Sequence, residues 1–206
     1  MACATHDGQG VEDESQAGTL IPQSAERAIL ERFLKAEAMA LWAVRAAQLR
    51  DVPKNVQAFL TQHKADEEEH LKQFETLLGY QSWGRETLPS VPQQWPSLAV
   101  LLFGYEALGL EFAKLLIGIR PDMASIVEDE ETHVGFFENE IRKILAGDPP
   151  DAEQARLSAG AFWKKLPKTV ERYLQDQTLD HCRAEVSRAM LAAIHARFTQ
   201  AGLLAA

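Results

Sequence analysis

Two runs of the chain carry the same order of acids and imidazoles. DEEEHLKQFE begins at Asp66 and DEETHVGFFE at Asp129, so both read D-E-E-x-H-(L/V)-x-x-F-E. Each sets a glutamate three positions ahead of a histidine: Glu67 with His70, and Glu130 with His133. On an α-helix, residues three apart share a face and stand about 4.5 Å apart along the axis. Each pair can therefore address one small region of space. A shorter repeat precedes each run, EAMAL from Glu37 and EALGL from Glu106. The chain thus offers two matching sets of one glutamate followed by a Glu/His pair.

Four carboxylates with two imidazoles suit hard divalent cations such as iron or manganese, and no thiolate joins them. Glu37 and Glu106 lie in apolar runs, FLKAEAMALWAV and LLFGYEALGLEF. A carboxylate buried in such surroundings is expensive unless a positive charge neutralises it. Two bound cations would supply that charge.

Other residues can support such a centre. Asp66 and Asp129 each precede a motif glutamate, and each can accept a hydrogen bond from the histidine of the opposite motif, fixing its ring orientation. His63 lies four residues before Glu67 on the same face, with Ile126 as its counterpart in the second half. It reads as a supporting residue behind the ligands or as a hydrogen-bonded core histidine. Tyr105 neighbours Glu106 but points about 100° away around the helix. Phe33 and Trp42 read as core, and His6, His181 and His195 lack partner spacing.

The elements that must carry these residues are helices, because strand signals are nearly absent and long stretches show helical periodicity. A first helix is expected from about Ser24, which can cap it, to Arg50. A second follows Pro53 and stops at Gly79. GYQSWGRETLPSVPQQWPS, from Gly79, reads as a long crossover. A third helix should run from Pro96 or Ser97 to Gly118, and a fourth from Pro121 to Ala146. Glu37 and Glu67 stand equally far from the first turn, roughly 21 Å by helical rise. Glu106 and Glu130 differ in depth by about one turn, which the second loop must absorb. Glu111 would lie nearer that turn but breaks the repeat.

This gives an all-α fold: an acidic, disordered tail over 1–23, a four-helix bundle over 24–147 with its long crossover between helices two and three, and a helical extension over 151–206. Pro167 should interrupt the extension. Its last helix should run from about Leu179 to Gln200, with an apolar face of Val186, Met190, Ile194 and Phe198 for packing on the bundle or on another subunit.

Charge and composition narrow the setting. The chain has 206 residues and a formal charge of -9, which repels phosphate backbones and argues against nucleic acid. Its densest basic group is Lys164, Lys165, Lys168 and Arg172. Two cysteines, Cys3 and Cys182, suit a reducing compartment and a cytoplasmic location. The first residues have no positive or apolar region of the kind a signal peptide needs. Residues 98–119 are long and apolar enough to resemble a membrane span, but Glu106, Glu111 and Lys114 make a buried central helix the better reading.

At these residues the chain resembles the ferritin-like di-iron carboxylate superfamily, over roughly 25–145. The first hairpin is most similar to demethoxyubiquinone hydroxylases. The second departs from them, because Glu130 follows Glu106 by only 24 positions. The lack of a C-x-x-C pair sets the chain apart from rubrerythrins. The resemblance implies two iron ions, or manganese, held by Glu37, Glu67, His70, Glu106, Glu130 and His133. It implies an O2-activating, monooxygenase-like oxidoreductase acting on a small apolar substrate with an external electron donor. Ferroxidase or iron-binding activity without an organic substrate is the alternative. Peripheral membrane contact and a homodimer stay open.

Overall fold

The computed structural model describes residues 22–82 and 87–205. The expected tail, with Cys3 and His6, lies almost wholly outside them, as do four residues of the crossover. All regular structure among the described residues is helical: α1 (Glu26–Ala47), α2 (Lys54–Leu78), α3 (Trp95–Ile117), α4 (Ala124–Ala146), α5 (Pro149–Tyr173) and α6 (Arg183–Gln200), with three short 3-10 turns.

Each helix follows from its apolar spacing. In α2 the buried positions are Val56, Leu60, His63, Glu67, His70, Phe74 and Leu78, a stripe with steps of three and four. The middle of that stripe is polar, so the packing that buries α2 also buries its acids and imidazoles. In α4 the same pattern places Ile126, Glu130, His133, Phe137 and Ile144 inward. Gly79 ends α2 in the left-handed region at φ 75°, a conformation that costs glycine little.

α1 packs on α2 and α3, α3 on α4, and α4 on α2, which closes a ring of four helices. α5 lies against α3 and α4, and α6 against α3 and α5. α3 is therefore covered by helices on nearly every side, which accounts for its apolar composition. Among the described residues no helix is long and apolar enough to cross a membrane. The face of Val186, Met190, Ile194 and Phe198 is buried within the chain, where Phe198 meets Phe103 at a ring separation of 5.0 Å.

Some local expectations need correction. Ser24 does not cap α1. It lies inside the 3-10 turn Gln23–Ala25, and the helix starts without a side-chain cap. Pro167 does not interrupt the extension, for α5 runs through it. Its neighbours Leu166 and Val170 are buried, and that anchoring offsets the penalty of roughly 3 kcal/mol for a proline inside a helix. The final helix begins at Arg183, after a 3-10 turn at Gln177–Leu179 whose entry Asp176 caps through the Thr178 amide.

Candidate metal centre

Four helices each contribute donors to one buried region: Glu37 from α1, His63, Glu67 and His70 from α2, Glu106 from α3, and Glu130 and His133 from α4. All are at most 3% exposed. Their ligand atoms fall into two groups, Glu37, Glu67, His70 and Glu130 in one and His63, Glu67, Glu106 and His133 in the other. Within each group the atoms lie within 4.8 Å of one another, and Glu67 belongs to both. These are buried acid and imidazole groups that could hold metal ions.

The two aspartates cross between hairpins. His70 Nε2 donates to Asp129 Oδ2 at 3.1 Å, and His133 Nε2 to Asp66 Oδ2 at 3.2 Å. With Nε2 engaged outward, each Nδ1 faces inward. His70 Nδ1 stands 3.6 Å from Glu37 Oε2, and His133 Nδ1 stands 3.4 Å from Glu106 Oε2. Asp66 is itself steadied by Gln62, whose amide donates to Oδ1 at 2.7 Å.

His63 lies further inside than a supporting role requires. Its Nε2 reaches Glu67 Oε1 at 3.1 Å and Glu106 Oε2 at 3.2 Å, so the ring sits among the donors themselves. It also packs over His133 with ring centroids 4.0 Å apart. The internal repeat does not show this, since the matching position, Ile126, carries no donor. The signal available was only that His63 falls on the same helical stripe as Glu67. Glu111 turns away from the cluster and pairs with Lys114 at 3.1 Å. The 3-10 turn Pro121–Met123 supplies part of the depth between Glu106 and Glu130, since it climbs about 2.0 Å per residue against 1.5 Å in an α-helix.

A fit test for cations comes from atoms without partners. Glu37 Oε2, His63 Nδ1, Glu67 Oε2, His70 Nδ1, Glu130 Oε2 and His133 Nδ1 are buried and make no hydrogen bond. Each such group costs about 1–3 kcal/mol, more when charged. The protein offers some of them only a longer ionic contact, such as His70 Nδ1 to Glu37 Oε2 at 3.6 Å, while bound ions would engage those that face the two donor groups. The residues present therefore fit a metal.

The proton balance tells the same story. Burial pushes Glu67 up to about 8, assisted by the charge of Glu37. Burial also raises Glu130 well above the usual carboxylate range, with Glu106 and Glu37 adding to the shift. Burial works against the charged forms of His63 and His70, but the facing carboxylates outweigh it and raise both to about 10. Burial likewise opposes ionisation of Glu106, yet His63 and His133 hold it down near about 2. Without metal, protons on imidazoles and carboxyls do the neutralising.

Close packing shapes the surroundings. A Cβ on Gly109 would stand 2.8 Å from Glu130 Oε2, so glycine there leaves that carboxylate in place, and any larger residue would push it aside. Its counterpart in the repeat is Ala40, another small residue. Phe33, Phe74 and Phe112 form one aromatic layer, with Phe33 stacked on Phe74 at 4.8 Å. Phe59, Phe136 and Phe137 form another, in which Phe59 meets the His133 ring edge-on at 6.0 Å. A void of about 40 Å³ touches Glu37, Glu106 and Glu130 and is walled by Tyr105, Leu108, Gly109 and Tyr173. Comparison with protein-family models, curated proteins and solved structures matched the chain to none of them.

Proposed function

We propose that α1–α4 form a ferritin-like four-helix bundle, with the long crossover between α2 and α3, and that this bundle holds two iron ions and uses them to activate O2 for oxidation of an apolar organic molecule. The observation that carries this reading is the convergence of seven buried acid and imidazole side chains from α1, α2, α3 and α4 into two groups of ligand atoms that share Glu67. Glu37, Glu67, His70 and Glu130 would hold one ion. Glu106, His133 and His63 would hold the other, with Glu67 shared between them.

The ions would supply the electrons and the binding site for O2, chemistry that side chains cannot supply. The chain's own residues do the rest. Asp129 and Asp66 hold the two motif histidines with Nδ1 inward. The two phenylalanine layers keep water from the centre. The void beside Glu37, Glu106 and Glu130 has room for a small molecule such as O2 or water, which needs roughly 10–15 Å³. In the metal-free chain His63 carries a proton between Glu67 and Glu106, a cationic counterweight that an entering ion replaces. With no flavin or nicotinamide motif in the sequence, an external donor would return electrons.

An apolar cavity lies beyond the same void, and this favours an organic substrate over iron oxidation alone. Metal analysis tests the reading. Wild-type protein should hold two ions per chain, and Glu67→Ala and His133→Ala should each hold fewer. Unchanged stoichiometry in both variants would overturn the assignment. Exposing the ferrous-loaded protein to O2 with and without quinone or acyl substrates then separates oxygenase from ferroxidase.

A further inference from the structure

A second space adjoins the centre. A cavity of about 350 Å³ lies between α3 and α5, with apolar walls of Val100, Leu101, Leu108, Phe162 and Leu166. Tyr105 and Leu108 line both this cavity and the small void at Glu37, Glu106 and Glu130. Only those two side chains are common to the two spaces, so they form the partition between them. The volume falls in the lower part of the range of about 300–1,000 Å³ typical of small-molecule sites.

We infer that this cavity between α3 and α5 binds a small anionic amphiphile, with its apolar body against Tyr105 and Leu108 and its anionic end on Lys165. Naming that molecule as the substrate of the adjoining centre rests on the proposed function; the binding itself does not.

The charge pattern selects the occupant. No acidic residue lines the cavity, although the chain as a whole is strongly acidic. Lys165 is the single charged residue of the lining, and it is exposed at the rim. It takes part in none of the ion pairs among the described residues. The serine and threonine hydroxyls of the lining are already engaged: Ser158 donates to Ser97 at 2.9 Å, Gln154 donates to Ser97 at 2.8 Å, and Thr169 donates to the Lys165 carbonyl at 3.3 Å. The unpaired ammonium at the rim and the Tyr105 hydroxyl are thus the polar features left for a ligand, and an anion complements the ammonium.

The walls are formed in advance. Gly104 lets the Phe162 ring press on the α3 backbone, where a Cβ would stand 2.4 Å from the ring. Phe162 is held from behind by Phe198, stacked at 5.6 Å. A rigid apolar wall of this kind binds without an ordering cost. The inference also gives α5 a task, since α5 closes the cavity and its Tyr173 reaches the void beside the carboxylates.

The test uses the full chain and two probes, dodecanoate and dodecyltrimethylammonium, titrated calorimetrically below their micelle concentrations. Wild-type protein should bind one dodecanoate per chain in preference to the cation. Lys165→Glu should weaken dodecanoate at least tenfold and favour the cation. Ala161→Trp, at an exposed rim position, should weaken both, and if it fails to fold the charge reversal alone decides. No saturable binding by wild type, or affinities within twofold of wild type in the folded variants, would overturn the inference. In Mn(II)-loaded protein, the terminal methyl signal of dodecanoate should broaden more than the signal beside its carboxylate; the reverse order would refute the proposed orientation. Failure of Mn(II) to bind would count against the metal centre, while the calorimetric titration would still decide the cavity.

Discussion

Gly109→Ala should separate what is good for the helix from what is good for the centre. Glycine inside α3 costs about 0.5–1 kcal/mol relative to alanine, so the substitution should leave the metal-free protein as stable or slightly more so. The added Cβ would stand 2.8 Å from Glu130 Oε2 and 3.2 Å from its Cδ. Ordinary contact begins near about 3.5 Å, so the carboxylate must recoil by roughly 0.7 Å. That exceeds the ~0.5 Å within which a ligand constellation must be held. Metal affinity should fall about tenfold or more, the scale seen when groups that orient ligands are altered. Thermal unfolding in metal-free buffer gives the first quantity, and titration against a competing chelator gives the second. Gly135→Ala in α4, where nothing lies within 4 Å of the new Cβ, is the control and should raise stability with affinity unchanged. If Gly109→Ala binds metal within twofold of wild type, Glu130 is not held where the geometry requires.

Other outcomes follow from the same structure. Asp129→Asn and Asp66→Asn should each lower metal affinity about 10–100-fold while leaving the fold intact by circular dichroism. Metal affinity should rise with pH between about 6.5 and 10, by roughly tenfold per pH unit for each proton displaced, because His63 and His70 hold protons up to about 10 in the metal-free chain. Over the same window the metal-free protein should lose stability: a histidine raised above its unfolded value near 6.5 stabilises fully below that pH, and the contribution is lost as pH climbs to the folded value. Thermal scans at pH 6, 8 and 10 check both the slope and its sign. Pro167→Ala should raise the unfolding temperature by a few degrees, since the exposed ring withholds a backbone hydrogen bond from α5 without filling the core. Leu102→Ala, fully buried on α3, should cost about 2–5 kcal/mol in denaturant unfolding.

Much of the helical layout is legible in the chain because periodicity and breakers are local. The α2 stripe from Val56 to Leu78 and the left-handed Gly79 can be read without knowledge of any neighbour. The convergence of Glu37, Glu67, His70, Glu106, Glu130 and His133 is marked by the repeat, since equivalent positions in two hairpins come to equivalent depths. What lies outside the repeat is harder to read. His63 enters the donor group because of where α3 and α4 sit around α2, and no local pattern encodes that. Pro167 misleads because the burial of Leu166 and Val170 is a tertiary effect that overrides backbone preference. The role of Gly109 depends on how closely two helices approach, and the docking of α5 and α6 on α3 depends on shape rather than spacing.

The crossing of Asp66 to His133 and of Asp129 to His70 means that neither hairpin is self-sufficient. A chain divided within the crossover would yield two peptides, each carrying an imidazole whose steering acid is on the other. Neither piece could present its donors in the right attitude by itself. Reassembly of the two peptides would restore both steering contacts at once, so metal capture would report their union.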